Sequence, residues 1–253
     1  MSNLKMIVLD CPAANLHLPE VRSLYSKLMN LKLKGYETIE SKYIPVDTSD
    51  LFATHFIVGE VVDGELNPLI SFKGLTEERC NHWKIPFNGS EVVKRTKNKR
   101  HIKAVNNFFE YNRSYNGGVG YTASLAIDPN VGDKAKRIQC LKMFECMLSR
   151  FHTDFGIKSS MCIARMRVQS DKVLKKIGYE ALKLKSEILP QIPFPQYIGD
   201  EFLILVLNNL SEEAHQLIEE FRSDWDERIV IAGHENNLFH IDNLLHQNGR
   251  KIA

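Results

Sequence analysis

The stretch that decides the fold runs from Tyr121 to Tyr179. It opens with YTASLAIDP (Tyr121–Pro129), a β-rich run that Asp128-Pro129 should stop. A short polar loop, NVGDKAK (130–136), follows without a long linker. Leu141, Phe144, Leu148, Phe151 and Phe155 then recur on one helical stripe, which predicts a helix from about Arg137 to Phe155 with Gly156 as its C-cap. SSMCIA (159–164) is a second β-like run, and Gln169 to Ile177 reads as a short helix closed by Gly178. Strand, loop, helix, strand, helix is an α/β order with a short connection at each step.

Working outward, Val21, Leu24, Tyr25, Leu28, Leu31 and Leu33 fall close to a helical period, with Pro19 in a tolerated first-turn position. FATHFIVGEVV (52–62) and LNPLISFKGL (66–75) flank Asp63-Gly64 and predict a hairpin. The basic run KRTKNKR (94–100) leads into a helix carrying Ile102, Val105, Phe108 and Phe109. Two more strands are expected around 180–188 and 201–207, separated by the loop PQIPFPQ (190–196). Ser211 with Glu212 and Glu213 opens a helix through Phe221. Beyond it lie an apolar patch, 229–232, and a His- and Asn-rich helical tail, 236–247. The expected organisation is a mixed α/β (α+β) domain over residues 1–210 and a C-terminal helical appendage over 211–253.

Composition excludes several classes. In 253 residues, Lys+Arg 33 against Asp+Glu 31 leaves a charge of +2, which rules out a wholesale basic nucleic-acid binder. No apolar run approaches the roughly 18 residues of a membrane span, and residues 1–10 make a poor secretory signal. The five cysteines lack CxxC spacing, so reduced buried thiols in a cytoplasmic protein are expected. Metal binding finds no support: His234, His240 and His246 are spaced by six, which turns successive rings by about 240° on a helix. There is no HExxH and no G-x-S-x-G.

The unit from Tyr121 to Tyr179 resembles the acyl-CoA-binding half of the GNAT N-acyltransferase superfamily, and the resemblance extends over roughly 18–207. It implies a mixed central sheet that splays, flanked by helices, with the splayed strand presenting its backbone to the pantetheine arm. Leu125, Ala126 and Ile127 take that role here. The loop and helix start, Gly132, Asp133, Lys134, Ala135, Lys136 and Arg137, would bind the donor's phosphates, because helix N-termini and free amides attract anions. The sequence departs from the family pattern: Gly132, Ala135 and Arg137 stand in place of its phosphate-loop signature. Leu174 stands where many members carry a Tyr as general acid, and Arg167 where an Asn often opens the second helix. The acid-dotted segment DTSDLFATHFIV (47–58) and the proline-bearing loop after the second helix are similar to long-chain N-acyl amino acid synthases and acyl-homoserine-lactone synthases. That resemblance implies an acyl-CoA or acyl carrier protein donor and an amino acid or similar small amine as acceptor. Lys94, Arg95, Lys97, Lys99 and Arg100 offer a docking surface for an acidic carrier protein, and also read as an ordinary charged loop.

Among acids, Glu60 is a candidate base if its strand faces the acyl site, and otherwise an edge charge pointing to water. His55 is a second candidate base and equally a packed histidine. Ser124, Arg165 and Arg167 are candidates for holding substrate, the arginines through a carboxylate. Asp47 and Asp50 read as turn or helix caps, or as a site for an amino group. Two other functions fit the same residues: a catalytically silent thioester-sensing or interaction module, and an acyltransferase acting on a protein amine.

Overall fold

The structure, a computed structural model, describes residues 4–37, 46–62, 64–115, 118–132, 134–195, 197, 199–231 and 250–251. In chain order these form β1 (Leu4–Asp10), α1 (Pro12–Asn15), α2 (Pro19–Glu37), α3 (Ser49–Phe52), β2 (Thr54–Val62), β3 (Glu65–Thr76), α4 (Glu77–Trp83), α5 (Asn88–Lys94) and α6 (Lys99–Tyr115). They continue as β4 (Val119–Ile127), α7 (Lys134–Thr153), β5 (Ser159–Arg165), α8 (Ser170–Ile177), β6 (Glu180–Ala181), β7 (Lys183–Leu184), β8 (Glu187–Ile188) and β9 (Ile192–Pro193). The last elements are β10 (Glu201–Leu207), α9 (Glu212–Glu220), α10 (Arg222–Asp226), β11 (Ile229–Ile231) and β12 (Arg250–Lys251). None of the described helices is long and apolar enough to cross a membrane.

The mixed sheet runs β12-β11-β1-β2-β3-β4-β5-β10-β6, with β9 also on β10. The pairs β1–β11, β11–β12 and β4–β5 are parallel and the rest antiparallel. On one face, Phe56, Phe72, Cys162 and Leu205 pack under Phe144, Met147, Leu148 and Phe151 of α7, with α8, α9 and Trp225 of α10 beside them. On the other face, Ile7, Leu9 and Ile57 pack under α2, and Tyr121, Met161, Ile204 and Phe202 under α5 and α6. Alternation along strands explains the division, since neighbouring residues point to opposite faces.

The 19–37 helix, the β2–β3 hairpin, β4, α7 and β5 lie where their patterns place them. Val62 pairs with Glu65 across the hairpin turn, where Gly64 has φ 80°; Asp63 is outside the described residues. Gly178 closes α8 at φ 116°. One expectation changes. The run 180–188 is no single strand: Lys185 adopts φ 59° and folds β7 back on β8. The first ten residues contain a central strand, β1, enclosed by β2 and β11. Residues 211–231 pack on the sheet domain. Ser211 caps α9 by accepting from the Ala214 N–H, α9 packs on α7, and β11 extends the main sheet in parallel with β1. The expected helical tail, 236–247, lies outside the described residues.

One close approach ties the layers together. A Cβ on Gly74 would stand 2.6 Å from the Phe151 ring, which packs edge-on to Phe56. Gly74→Ala should therefore overpack the core and lower stability by about 1–3 kcal/mol in urea unfolding.

Candidate active site

The two parallel strands β4 and β5 pair only from Val119↔Ser159 to Thr122↔Cys162. Past that point their backbones part. β4 carries one extra residue there: Ala123 faces Lys73 and Ala126 faces Ser71, three residues against two. Ser124 absorbs the misfit at φ 57°, a left-handed conformation uncommon outside glycine. The bulge turns Leu125 to the α7 face, and beyond Thr122 the edge of β4 faces the gap rather than β5.

A cavity of about 200 Å³ fills this gap and reaches both faces of the sheet. Toward α7 its wall is apolar, with Phe72, Leu125, Phe144, Leu148 and Leu174. Toward α2 and α5 its lining includes the polar Tyr36, Asp47, Lys73, Asn88 and Arg165 and the rings of Phe194 and Phe202.

The polar part rests on a buried charge cluster. Asp50 is fully enclosed and is gripped by Lys32, also fully enclosed, and by Lys73 at 3.2 Å. Lys73 Nζ also donates to Ser49 Oγ at 2.8 Å and lies 3.3 Å from Asp47 Oδ1. The backbone N–H of Asp47 donates to Asp50 at 2.8 Å, and Asn88 Nδ2 donates to the other Asp47 oxygen at 3.1 Å. Asp47 is thus held by the cluster and opens to the cavity with its side chain 41% exposed.

Burial shifts these groups. Enclosure lowers Lys32 to about 8, although Asp50 pulls it back up. Enclosure pushes the Asp50 carboxyl up, but Lys32 and Lys73 outweigh it and bring the group down to about 2. At neutral pH the pair is charged. Burial also holds the Tyr36 phenol above its ordinary range, with the Arg165 guanidinium pulling the other way, so Tyr36 presents a neutral O–H.

Arg165, at the end of β5, is ion-paired through Nη2 to Asp200. Its Nε and Nη1 are buried with no hydrogen-bond partner among the described residues. A guanidinium 7% exposed, beside a cavity and with two unused donors, is a place for an acceptor oxygen of a ligand.

Of the residues singled out in the sequence, Ser124, Leu125 and Arg165 come together at the cavity. Ala126 and Ile127 follow them along β4, where α2 crosses closely enough that a Cβ on Gly35 would be 3.1 Å from the Ile127 carbonyl oxygen. Gly132, Lys134, Ala135 and Arg137 are exposed at the start of α7, and Lys134 and Arg137 have no acidic partner among the described residues. Asp133 is outside the described residues. Lys136 is committed to Glu60 at 2.8 Å. That pair corrects the expectation for Glu60: it ties β2 to α7, and β3 stands between β2 and the gap. His55 is corrected likewise. It is fully buried on β2 under α2, its Nε2 is 2.6 Å from the Asp50 carbonyl, and enclosure lowers it to about 3. Arg167 is exposed and does not line the cavity. In the basic run, Lys94 pairs with Glu91 and Arg100 with Glu187, both at the surface, while Arg95 reaches the cavity rim. All five cysteines are free and buried.

Sequence reasoning reached Asp47 and Asp50 only as caps or an amine site, and it missed Lys32, Lys73, Tyr36 and Asp200. Lys73 carried a signal, a lone charge within LISFKGL where every neighbour suits a core strand.

No protein-family model matches the chain, and no curated protein is significantly similar to it in sequence. Solved structures do resemble it. A CoA-dependent acyl-homoserine lactone synthase, BjaI, with SAM and isopentyl-CoA, superposes at TM-score 0.54 with 13% identity, covering 95% of this chain and 98% of that one. FeeM, an N-acyl amino acid synthase from uncultured soil microbes, gives TM-score 0.50 and 11% identity over 88% and 96%. A second CoA-dependent acyl-homoserine lactone synthase, MesI, gives 0.50 and 13% over 90% and 97%. With its mixed sheet parted between β4 and β5, the chain has a GNAT-like α/β fold.

Proposed function

We propose that the chain is an N-acyltransferase that moves an acyl group from a thioester to the amine of an amino acid or similar small molecule. One observation carries the reading: the sheet opens at a strained bulge over a cavity that is apolar on one side and ion-bearing on the other. The donor lies along the edge of β4 that parts from β5, where the strand backbone near Leu125 polarises the thioester carbonyl. Its chain occupies the wall of Phe144, Leu148 and Leu174, and its phosphates meet the start of α7 with Lys134 and Arg137. The donor is an acyl-CoA, or the acylated phosphopantetheine of a carrier protein docked on the basic run 94–100.

The acceptor enters from the α2 side. Asp47 takes its ammonium proton and passes it to solvent, and Arg165 receives its carboxylate. The amine then attacks the carbonyl carbon; the C–N bond forms, the C–S bond breaks, and the second proton shed by the nitrogen passes through solvent to the departing thiolate. Positioning supplies most of the rate, since the reactants are held together and an attacking amine needs only the loss of a proton. Leu174, where many GNAT members carry a Tyr, favours a second reading, a thioester-binding module without turnover.

The deciding experiment offers the protein acyl-CoA donors from acetyl to long-chain with a mixture of amino acids, and follows thiol release and N-acyl products by mass spectrometry. Product that requires both substrates is expected, with kcat/KM lowered about 10²-fold in Asp47→Asn. Thermal stabilisation by acyl thioesters without product from any donor would establish the silent module instead.

A further inference from the structure

We infer that Asp47 takes the acceptor's proton at Oδ2, and that Asn88 is the positioning residue that holds that oxygen in place. The inference rests on the acceptor reading above and assigns the receiving atom and its support. The two carboxylate oxygens of Asp47 are not equivalent. Oδ1 accepts from the Ser49 backbone N–H at 2.8 Å and from the Ser49 hydroxyl, and it lies 3.3 Å from Lys73 Nζ. The direction of the hydroxyl bond is settled by its neighbours. Ser49 Oγ receives Lys73 Nζ at 2.8 Å and Asn88 Nδ2 at 2.9 Å, and both nitrogens can only donate, so the serine's own proton goes to Oδ1. Three donors crowd Oδ1. Oδ2 has one among the described residues, Asn88 Nδ2 at 3.1 Å. Turning the Asn88 amide over would set its carbonyl oxygen against the carboxylate, so the nitrogen belongs where it stands.

A carboxylate oxygen accepts along two lone pairs, so Oδ2 keeps one for a ligand N–H on the side that opens to the cavity. Oδ1 is held by its own turn and by β3; Asn88 adds a second point of support from the start of α5. Two supports fix the plane of the carboxylate, and the spare lone pair of Oδ2 keeps one direction. In the transfer an ammonium N–H bond breaks and the Oδ2–H bond forms, which leaves the nitrogen its lone pair for attack. The proton then passes to water through the exposed side of Asp47. The titratable and charged groups around Asp47 are Tyr25, Lys32 and Tyr36 of α2, Asp50 of α3, Lys73 of β3, Glu91 of α5 with Arg95 after it, and Arg165 of β5. All of them stay the same when position 88 is changed.

The test compares pH–rate profiles of the wild type, Asn88→Asp and Asn88→Ala with one acyl-CoA and one amino acid, with the thermal midpoint recorded at each pH. Asn88→Asp keeps the shape of the side chain. Its kcat/KM should fall toward acid about one pH unit or more above the wild type, because two carboxylates in contact share a proton, and that proton occupies Oδ2. Asn88→Ala should lower kcat about ten-fold through misplacement of the base, with KM for the acyl-CoA unchanged. At high pH the Asn88→Asp rate should rise to the Asn88→Ala level, which a merely structural role for Asn88 would not produce. Profiles of one shape in all three proteins, or a wild-type kcat in Asn88→Ala, would overturn the inference and leave the acyltransferase reading standing. Absence of any N-acyl product from the wild type with every acyl-CoA would overturn the acyltransferase reading and the inference together.

Discussion

Asp50→Asn is expected to cost about 3–5 kcal/mol of unfolding free energy at pH 7, and Lys32→Met much less, about 1 kcal/mol. The two side chains form one ion pair, yet their removal is not symmetric. Among the described residues, Asp50 is the one carboxylate ion-paired with both Lys32 and Lys73, which are 0% and 2% exposed. Neutralising it leaves two buried ammonium groups, with Asp47 reaching Lys73 from the partly exposed side. Removing Lys32 leaves Asp50 still paired with Lys73 and still accepting the Asp47 N–H. The Asn variant has a second signature. Asp50 is what raises Lys32 against the larger effect of enclosure, so without it Lys32 falls below about 8. A lysine whose folded pKa lies below its unfolded value gives stability that grows as pH rises between the two. Part of the Asp50→Asn loss should therefore return between pH 7 and about 8, above which Lys32 is neutral in the folded wild type as well. Urea unfolding of both variants at pH 7 and 9 measures this; equal losses for the two would show that Lys73 does not sustain Asp50 alone.

This cluster also marks where the sequence stopped being legible. α2 was readable because its core residues repeat at 3.6; Lys32, four residues after Leu28, falls on that same face, and only its charge argued for solvent. Its enclosure depends on Asp50 and Lys73, 18 and 41 positions later, which only the folded sheet brings together. Arg165 was visible as a charge ending an apolar strand, but Asp200, across a proline-rich loop, was not. Glu60 illustrates the opposite case. Alternation placed it correctly on the face of Phe56 and Val58, and strand order then put it two strands from the gap. Periodicity fixes a face, and only topology fixes a neighbour. β1 escaped because LKMIVLD is buried almost throughout and so shows no alternation. The β4–α7–β5–α8 unit was legible throughout, since each boundary there carries a local signal: Asp128-Pro129, the stripe of α7, Gly156 and Gly178.

The protein should also be sharply acid-labile, losing about 6 kcal/mol between pH 6.5 and pH 4. Two enclosed histidines carry this. Burial lowers His55 to about 3 and His152 to about 4, against about 6.5 in an unfolded chain. His152 is committed as a neutral ring: Nδ1 is 3.2 Å from the Ile157 carbonyl, and Nε2 meets the hydroxyls of Ser160 at 3.1 Å and Tyr179 at 3.4 Å. His55 Nε2 faces the Asp50 carbonyl, with Lys32 and Lys73 close enough to repel a further charge. Below pH 6.5 the unfolded chain takes up two protons that the folded one refuses, so unfolding free energy falls with pH at up to about 2.7 kcal/mol per unit. Each ring accounts for about 3 kcal/mol by pH 4, which is comparable with the whole stability of an ordinary domain. Asp50, lowered to about 2, adds a loss in the same direction from about pH 4 downward. His152→Gln and His55→Gln keep a hydrogen-bonding side chain that does not titrate, and each should remove about one proton from the slope. Denaturation curves between pH 7 and 4 give the number directly. A wild-type slope near zero would mean that both rings accept a proton in the folded protein, which their enclosure forbids.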